Sequence, residues 1–451
     1  MKNSIIKTIL LPAGSLLMLS SPVLASMGNT GMTYGLMPSD IASAQALSLF
    51  NTNVSAAWYN PAALAIDPRG ELTGSVLDAE NDLNTNSPDP QYDGVVQDDP
   101  SRQLMIGMKT DLSSLMKPGI LQYPLYLGVI AGVEKDGRQL LSFNSSATGN
   151  GPQYLEYGRK PLFLTVSVGT TLWRGIHVGA GLRVTTRTDS TLHATTNFGG
   201  DTKHESLDVS ADPLFRPIVG LHINWGETAC HLAHCWADNL ETAISYRAYS
   251  ESETSVNSDA LLQFNQGNPV IPIEVANVID AFQPAVTALG VKYDFGRVAV
   301  GVTAEYQQWS RLESKLAHDT IKDQAGLNFK DTIVPRIGAE IQLNDTFTLI
   351  TGAAFVPSPL EGSRSLDVNY VDADRWEAGI GLRATFKHVP LMAYPVELNL
   401  GYQYQKLDER DFTLSRTPDS AQGDPSQAVD FGSVTTDGEV NVFAGSITVK
   451  F

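Results

Sequence analysis

Beyond its first 25 residues this chain has no long hydrophobic run. No stretch approaches the ~20 apolar residues that a spanning helix needs, which excludes a helical membrane domain. Positive charge is scarce: 31 Lys and Arg face 49 Asp and Glu, a net charge of −18, which argues against a nucleic-acid partner. Cysteine is nearly absent. The two present, Cys230 and Cys235, stand in ACHLAHC. A local disulfide is the default for that pair in an exported chain, and His231 and His234 between them leave a zinc site as the alternative. The eight histidines are sparse, and no serine is placed convincingly beside His177 or His222. An outer-membrane phospholipase is therefore a weak reading, and no enzyme activity is expected. No phosphate-binding loop and no energy-coupling motif occurs, so no cofactor is expected.

Residues 1–25 have the form of a bacterial signal peptide. Lys2 and Lys7 precede an apolar run from Thr8 to Leu19, and Pro22 to Ala25 supply small-residue cleavage chemistry. Past residue 70 the hydrophobic period is 2. Leu164, Val166 and Val168 alternate with Thr165, Ser167 and Gly169, and Val298 to Tyr306 and Ala378 to Phe386 behave alike. Strands are expected near 70–80, 101–111, 122–134, 161–173, 176–188, 213–225, 239–251, 284–294, 297–309, 332–343, 346–356, 375–386, 394–406 and 439–451. The count is fourteen, an even number.

The connections sort by parity. Tight turns fall at Arg174-Gly175, Phe295-Gly296 and Asn344-Asp345. The alternate connections 81–100, 135–160, 252–282, 310–331, 357–374 and 407–438 are long, polar and often acidic. An up-and-down barrel with one plain and one elaborated rim has this pattern. One face of each strand is apolar. The other carries glycine, hydroxyls and single charges, among them Lys109, Arg183, Arg187, Arg247, Lys292, Glu305, Arg336, Glu340, Arg383 and Glu397. Turned outward, these would belong to a soluble barrel. The signal peptide, the loop parity and the closing Phe451 favour turning them inward, to line a polar lumen. Trp173, Trp225, Tyr293 and Phe386 near the short turns fit an interfacial aromatic girdle.

Residues 26–69 do not alternate. Ser39 and Asp40 are placed to cap a helix running through Ile41, Ala44, Leu47 and Phe50. The stretch Asn53 to Ala65, NVSAAWYNPAALA, is small-residue-rich and broken by Pro61. Asn60-Pro61-Ala62 ahead of a fourteen-stranded barrel resembles the outer-membrane long-chain fatty acid transporter family (FadL type), which includes channels for aromatic hydrocarbons. AISYRAY at Ala243–Tyr249, VTAEYQQWSRL at Val302–Leu312 and RIGAEIQLNDTFTLITGAAFVPSP at Arg336–Pro359 extend the resemblance. The cysteine pair departs from it.

The resemblance implies three parts: a signal peptide (1–25), an N-terminal hatch (26–69) and an all-β transmembrane barrel (70–451). It implies ligand-gated passage of a long-chain fatty acid or other hydrophobic small molecule, with Asn60, Pro61 and Ala62 shaping the hatch. Apolar contacts are expected from Leu47, Phe50 and Trp58 and from Met105 and Ile130 of the wall. A carboxylate head would meet Arg183, Arg247, Arg336 or Arg383, unless these pair with Glu305, Glu340 or Glu397. Sideways exit through the third strand is implied, and Pro124, Gly128 and Gly132 on one parity mark that strand as a weak seam. The expected partners are outer-membrane lipid, lipopolysaccharide and the barrel assembly machinery, around a monomer. A structural or adhesive barrel is the competing reading.

Overall fold

A computed structural model describes residues 30–90, 100–113, 123–135, 162–196, 202–230, 235–262, 270–316, 328–365, 372–390, 392–416, 427 and 429–451, the side chains of 185–212 and 252–281 among others excepted. The expected signal peptide, most of the connection 135–160, His231, His234 and the Arg187 side chain lie outside the described residues.

Among the described residues seventeen strands follow in chain order. They are β1 (Glu71–Asn86), β2 (Ser101–Asp111), β3 (Leu125–Lys135), β4 (Leu162–Trp173), β5 (Ile176–Thr196), β6 (Thr202–Asn224), β7 (Leu240–Arg247), β8 (Ser250–Leu262), β9 (Val270–Gln283), β10 (Ala285–Asp294), β11 (Val298–Gln308), β12 (Thr332–Gln342), β13 (Phe347–Val356), β14 (Arg364–Ser365), β15 (Arg375–Phe386), β16 (Val396–Arg416) and β17 (Val429–Lys450). Each barrel strand pairs antiparallel with its neighbours. β7 pairs with β10, β13 with β15, and β17 returns to β1, so fourteen strands close the cylinder. β8 and β9 form a hairpin beyond β7, where the sequence suggested only a polar connection. β5, β6, β16 and β17 also run past their expected ends. At the seam Gly70 and Phe451 exchange backbone hydrogen bonds of 2.7 and 2.9 Å.

The short turns have the chemistry their residues predict. Gly175 and Gly296 adopt φ +66° and +96°, which glycine tolerates without strain. Asn344 Oδ1 accepts from the Thr346 and Phe347 N–H groups. Cys230 and Cys235 are bonded to each other in the β6–β7 connection on this rim.

The two faces have opposite chemistry. Leu104, Ile106, Ile333 and Leu400 point outward and are 57–66% exposed. Arg183, Arg247, Glu305, Arg336, Glu377 and Gln403 point inward and are buried. An apolar outside around a charged inside suits a cylinder whose solvent is lipid. Exposed Trp173, Phe295, Phe386 and Phe451 near the short turns supply the interfacial ring. A concavity of about 1290 Å³ lies on this outer face, along Val76, Leu104, Val133, Ile380, Leu400 and Phe443. Its apolar lining faces lipid, so it belongs to the membrane and not to the lumen.

Residues 31–66 lie inside the cylinder. From Tyr34 to Asn51 every residue is buried. The helix Pro38–Ala42 stops where Ala44 and Gln45 turn through φ +47° and +63°. This corrects the expected run to Phe50, since Ser48–Phe50 is a separate 3-10 turn. Met37, not Ser39, occupies the N-cap position, without a side-chain bond of its own, and Asp40 reaches back to its N–H at 3.0 Å. Asp40 also accepts from Ser48 Oγ and Asn51 Nδ2, each at 2.7 Å, and so ties three pieces of the segment together.

Candidate functional site in the barrel lumen

The wall is built to receive this segment's backbone. Gly301, Gly338, Gly352 and Gly379 are directly opposed across β11, β12, β13 and β15. Gly169, Gly179 and Gly220 are opposed across β4, β5 and β6. A Cβ on Gly352 would fall 2.1 Å from the Ser43 carbonyl oxygen, and one on Gly379 2.5 Å from those of Ile41 and Ala42. One on Gly179 would meet Pro61 and Ala62, and one on Gly220 would meet Asn60 Oδ1. These are contacts of backbone or a held amide, which cannot step aside as a flexible chain end can.

Wall side chains then donate to the segment's carbonyls. Ser167 Oγ reaches Ala57 O at 2.6 Å, Thr303 Oγ1 reaches Ala46 O at 2.7 Å, and Arg336 Nη1 reaches Ala44 O at 2.8 Å. Lys109 Nζ bonds both Thr52 O and Asp67 O, at 2.8 and 2.6 Å. Glu71, directly opposite Lys109 across β1–β2, accepts from the Val54 N–H. Such bonds answer carbonyls that would otherwise be buried unpaired.

Asn60 and Pro61 behave locally as their chemistry predicts. Asn60 Oδ1 accepts from the Ala62 N–H at 3.2 Å, and its Nδ2 donates to Leu49 O at 3.0 Å. Pro61 opens the 3-10 turn Pro61–Ala65, where a missing N–H is harmless. Burial raises the Asp40 carboxyl pKa to about 6, against the bonds it accepts.

Of the five expected apolar residues, three meet. Trp58, Met105 and Ile130 form one buried cluster with Leu36, Met37 and Phe163. Leu47 lies instead against Gly301, and Phe50 packs with Leu49, Ala243 and Ala288 across the lumen. Phe163 was missed in the sequence, although it shares the inward parity of Thr165 and Ser167. Its ring fills the space that a Cβ on Gly132 would take.

The four arginines divide. Arg183 lies over the Trp58 ring, 4.9 Å from its centroid, and donates to Gln283. Arg247 lies 5.5 Å from the Tyr59 centroid and 5.9 Å from that of Trp58, with Glu305 at 3.6 Å. Arg336 is held between Glu377 at 3.0 Å and Glu305 at 3.4 Å. Arg383 is held between Glu340 at 2.9 Å and Glu397 at 3.7 Å. Two guanidinium groups thus border the apolar cluster, and two are clamped between carboxylates. Trp58 Nε1–H has no hydrogen-bond partner among the described residues.

The third strand is unbroken. β3 pairs with β2 from Tyr126 to Lys135 and with β4 from Leu125 to Val133, with no register shift. Gly128 and Gly132 face the lumen, and Leu64 and Ala57 fill the space before Gly128. Pro124 stands just ahead of the paired residues, its carbonyl accepting from Thr170 Oγ1 at 2.8 Å. His177 and His222 also face inward, bonded to Thr171 and to Glu241 at 3.0 and 2.9 Å.

A closed fourteen-stranded cylinder, apolar outside and charged within, is a bacterial outer-membrane barrel crossing the membrane many times. No protein-family model matches the sequence. Alkane uptake protein A of Marinobacter nauticus is 44% identical over 439 residues, covering 96% of this chain and 94% of the relative. A Pseudomonas aeruginosa FadL homologue superposes with TM-score 0.59 at 15% identity, covering 95% of this chain and 99% of its own. The P. putida toluene transporter TodX superposes at 0.54 with 11% identity, covering 93% and 99%. The chain belongs to one family with alkane uptake protein A, and its fold is that of the FadL-type outer-membrane transporters.

Proposed function

We propose that this protein admits long aliphatic molecules, alkanes and long-chain fatty acids, by passive gated diffusion. The observation that carries this is the apolar cluster of Trp58, Met105, Ile130 and Phe163 bordered by Arg183 and Arg247, in a chain 44% identical to an alkane uptake protein. Burying a hydrocarbon chain there is favourable by about 25 cal/mol per Å² of apolar surface. A carboxylate end would find the two guanidinium groups and the Trp58 N–H, and a pure alkane would leave them as they stand.

Residues 26–69 act as the hatch on this reading, with Asn60, Pro61 and Ala62 fixing its closed shape. The leader 1–25 is removed on export. The ligand cluster stands on β2, β3 and β4, so those strands separate it from lipid, and sideways exit runs between them once the β3 ladder parts. Gly128 and Gly132 keep that wall thin. Hydrolysis is not proposed, because a barrel phospholipase needs its serine and histidine on the outer face, and His177 and His222 face the lumen.

The test is uptake by a strain lacking the gene, using labelled hexadecane, oleate and toluene. Uptake of hexadecane and oleate is expected to fall severalfold and return with the gene on a plasmid. Normal uptake of all three would reject the proposal.

A further inference from the structure

The Ala44–Gln45 turn is the one place in the described backbone where non-glycine residues take positive φ, +47° and +63°. The left-handed region brings Cβ against the following carbonyl and is costly for such residues. Two in succession persist only where surrounding bonds over-determine them. Here the bonds can be named. Gln45 N–H donates to Asp40 O at 2.7 Å, and Gln45 Nε2 donates to Met32 O at 3.1 Å. From the wall, Arg336 Nη1 holds Ala44 O at 2.8 Å, and Thr303 holds Ala46 O at 2.7 Å.

Arg336 is the unusual member. It is 3% exposed, and its charge is balanced by Glu305 and Glu377, both buried. It stands two residues before Gly338 on the inward face of β12, and a Cβ on Gly338 would lie 3.0 Å from the Ala46 Cβ. The wall thus gives way to the turn at Gly338 and grips it at Arg336. On the other side of the same pair lies a cavity of about 20 Å³, bordered by Met32, Trp309, Arg336, Asp372 and Glu377. It has room for about one water. Its upper border, Pro357, Pro359 and Asp372, comes from the long β13–β15 connection.

We propose that Arg336, set by Glu305 and Glu377, is a catch that holds the strained Ala44–Gln45 turn, and that loss of its bond to Ala44 O releases the turn and unseats the segment. This rests on the reading of residues 26–69 as a gate. Arg336 is a positioning residue, since it acts on the cargo through the turn. Of the four arginines named in the sequence, this assigns one to the gate instead of the ligand.

The test uses the full chain in planar bilayers, with conductance recorded before and after hexadecane is added. Arg336→Gln is expected to raise the basal conductance about tenfold. Adding Ala44→Gly and Gln45→Gly, which remove the strain, should return it towards the parent value. A general loss of packing would not be repaired by two glycines. A folded Arg336→Gln barrel that conducts like the parent overturns the proposal, as does a triple variant as open as the single one. Should Arg336→Gln fail to fold, Ala44→Gly with Gln45→Gly alone decides. That variant should open about tenfold less often on hexadecane, and unchanged opening overturns the catch. Gly352→Val, which pushes on Ser43, tests the premise. If it folds and leaves the conductance unchanged, the gate reading fails and not merely the catch.

Discussion

Gly352 and Gly379 do their work by what they lack. Each faces carbonyl oxygens of residues 41–43 so closely that a methyl group would strike backbone. Gly352→Ala is expected to destabilise the seated segment by about 1–3 kcal/mol, the usual cost of overpacking. It should raise the barrel's basal permeability to a small antibiotic, while Gly74→Ala, which meets nothing within 4 Å, should not. Asp40 gives a second prediction at this scale. Its pKa is raised to about 6 by burial, so the seated segment holds a proton more tightly than a released, hydrated one does. Stability from this group is present in acid, below about pH 4, and is lost as pH rises through 6. Basal conductance should climb severalfold between pH 5 and 7.5, and Asp40→Asn should flatten that rise. The sequence showed which arginines face inward, because parity is periodic. It did not show that Arg183 and Arg247 border Trp58 while Arg336 and Arg383 sit between carboxylates. Those pairings depend on register between neighbouring strands two or three at a time, and on where the inner segment lies, which no local pattern encodes.

Among the elements, β3 bears the heaviest claim. Its ladder is intact on both sides, so sideways exit requires it to part. Ile106 faces Ala131 across β2–β3, and Val129 faces Val166 across β3–β4. Cysteines at either pair, oxidised, should reduce hexadecane uptake at least severalfold, and reduction should restore it. Equal uptake in both states would mean that cargo leaves elsewhere. The parent under the same reductant controls for the Cys230–Cys235 bond. Strands were legible because period-2 alternation and glycine turns are local signals, and most expected ends fall within a few residues of those observed. Beyond the membrane the alternation loses its apolar half, so the outer parts of β5, β6, β16 and β17 and the β8–β9 hairpin were read as polar connections. The expected helix from Ile41 to Phe50 failed for a different reason. Its apolar spacing was helical, but Ala44 and Gln45 take positive φ, held by the Gln45 N–H bond to Asp40 O and by the Arg336 bond to Ala44 O, and the helix ends at Ala42.

At the scale of the whole molecule, the choice between a soluble and a membrane barrel came down to which face turns inward. Loop parity favoured the membrane, and the exposed apolar band with its buried charges agrees with it. What parity could not give was the lumen's contents, because residues 31–66 have little repeat of their own and take their shape from the glycine wall. The account's central claim is that cargo enters against this segment, at Trp58, Met105, Ile130 and Phe163. It is tested most directly by photolabelling the purified barrel with an aliphatic chain carrying a diazirine and mapping the adducts by mass spectrometry. The predicted result is labelling of those four side chains, suppressed by excess hexadecane. Labelling confined to the lipid-facing wall at Leu104, Val133 and Leu400, and indifferent to hexadecane, would contradict it.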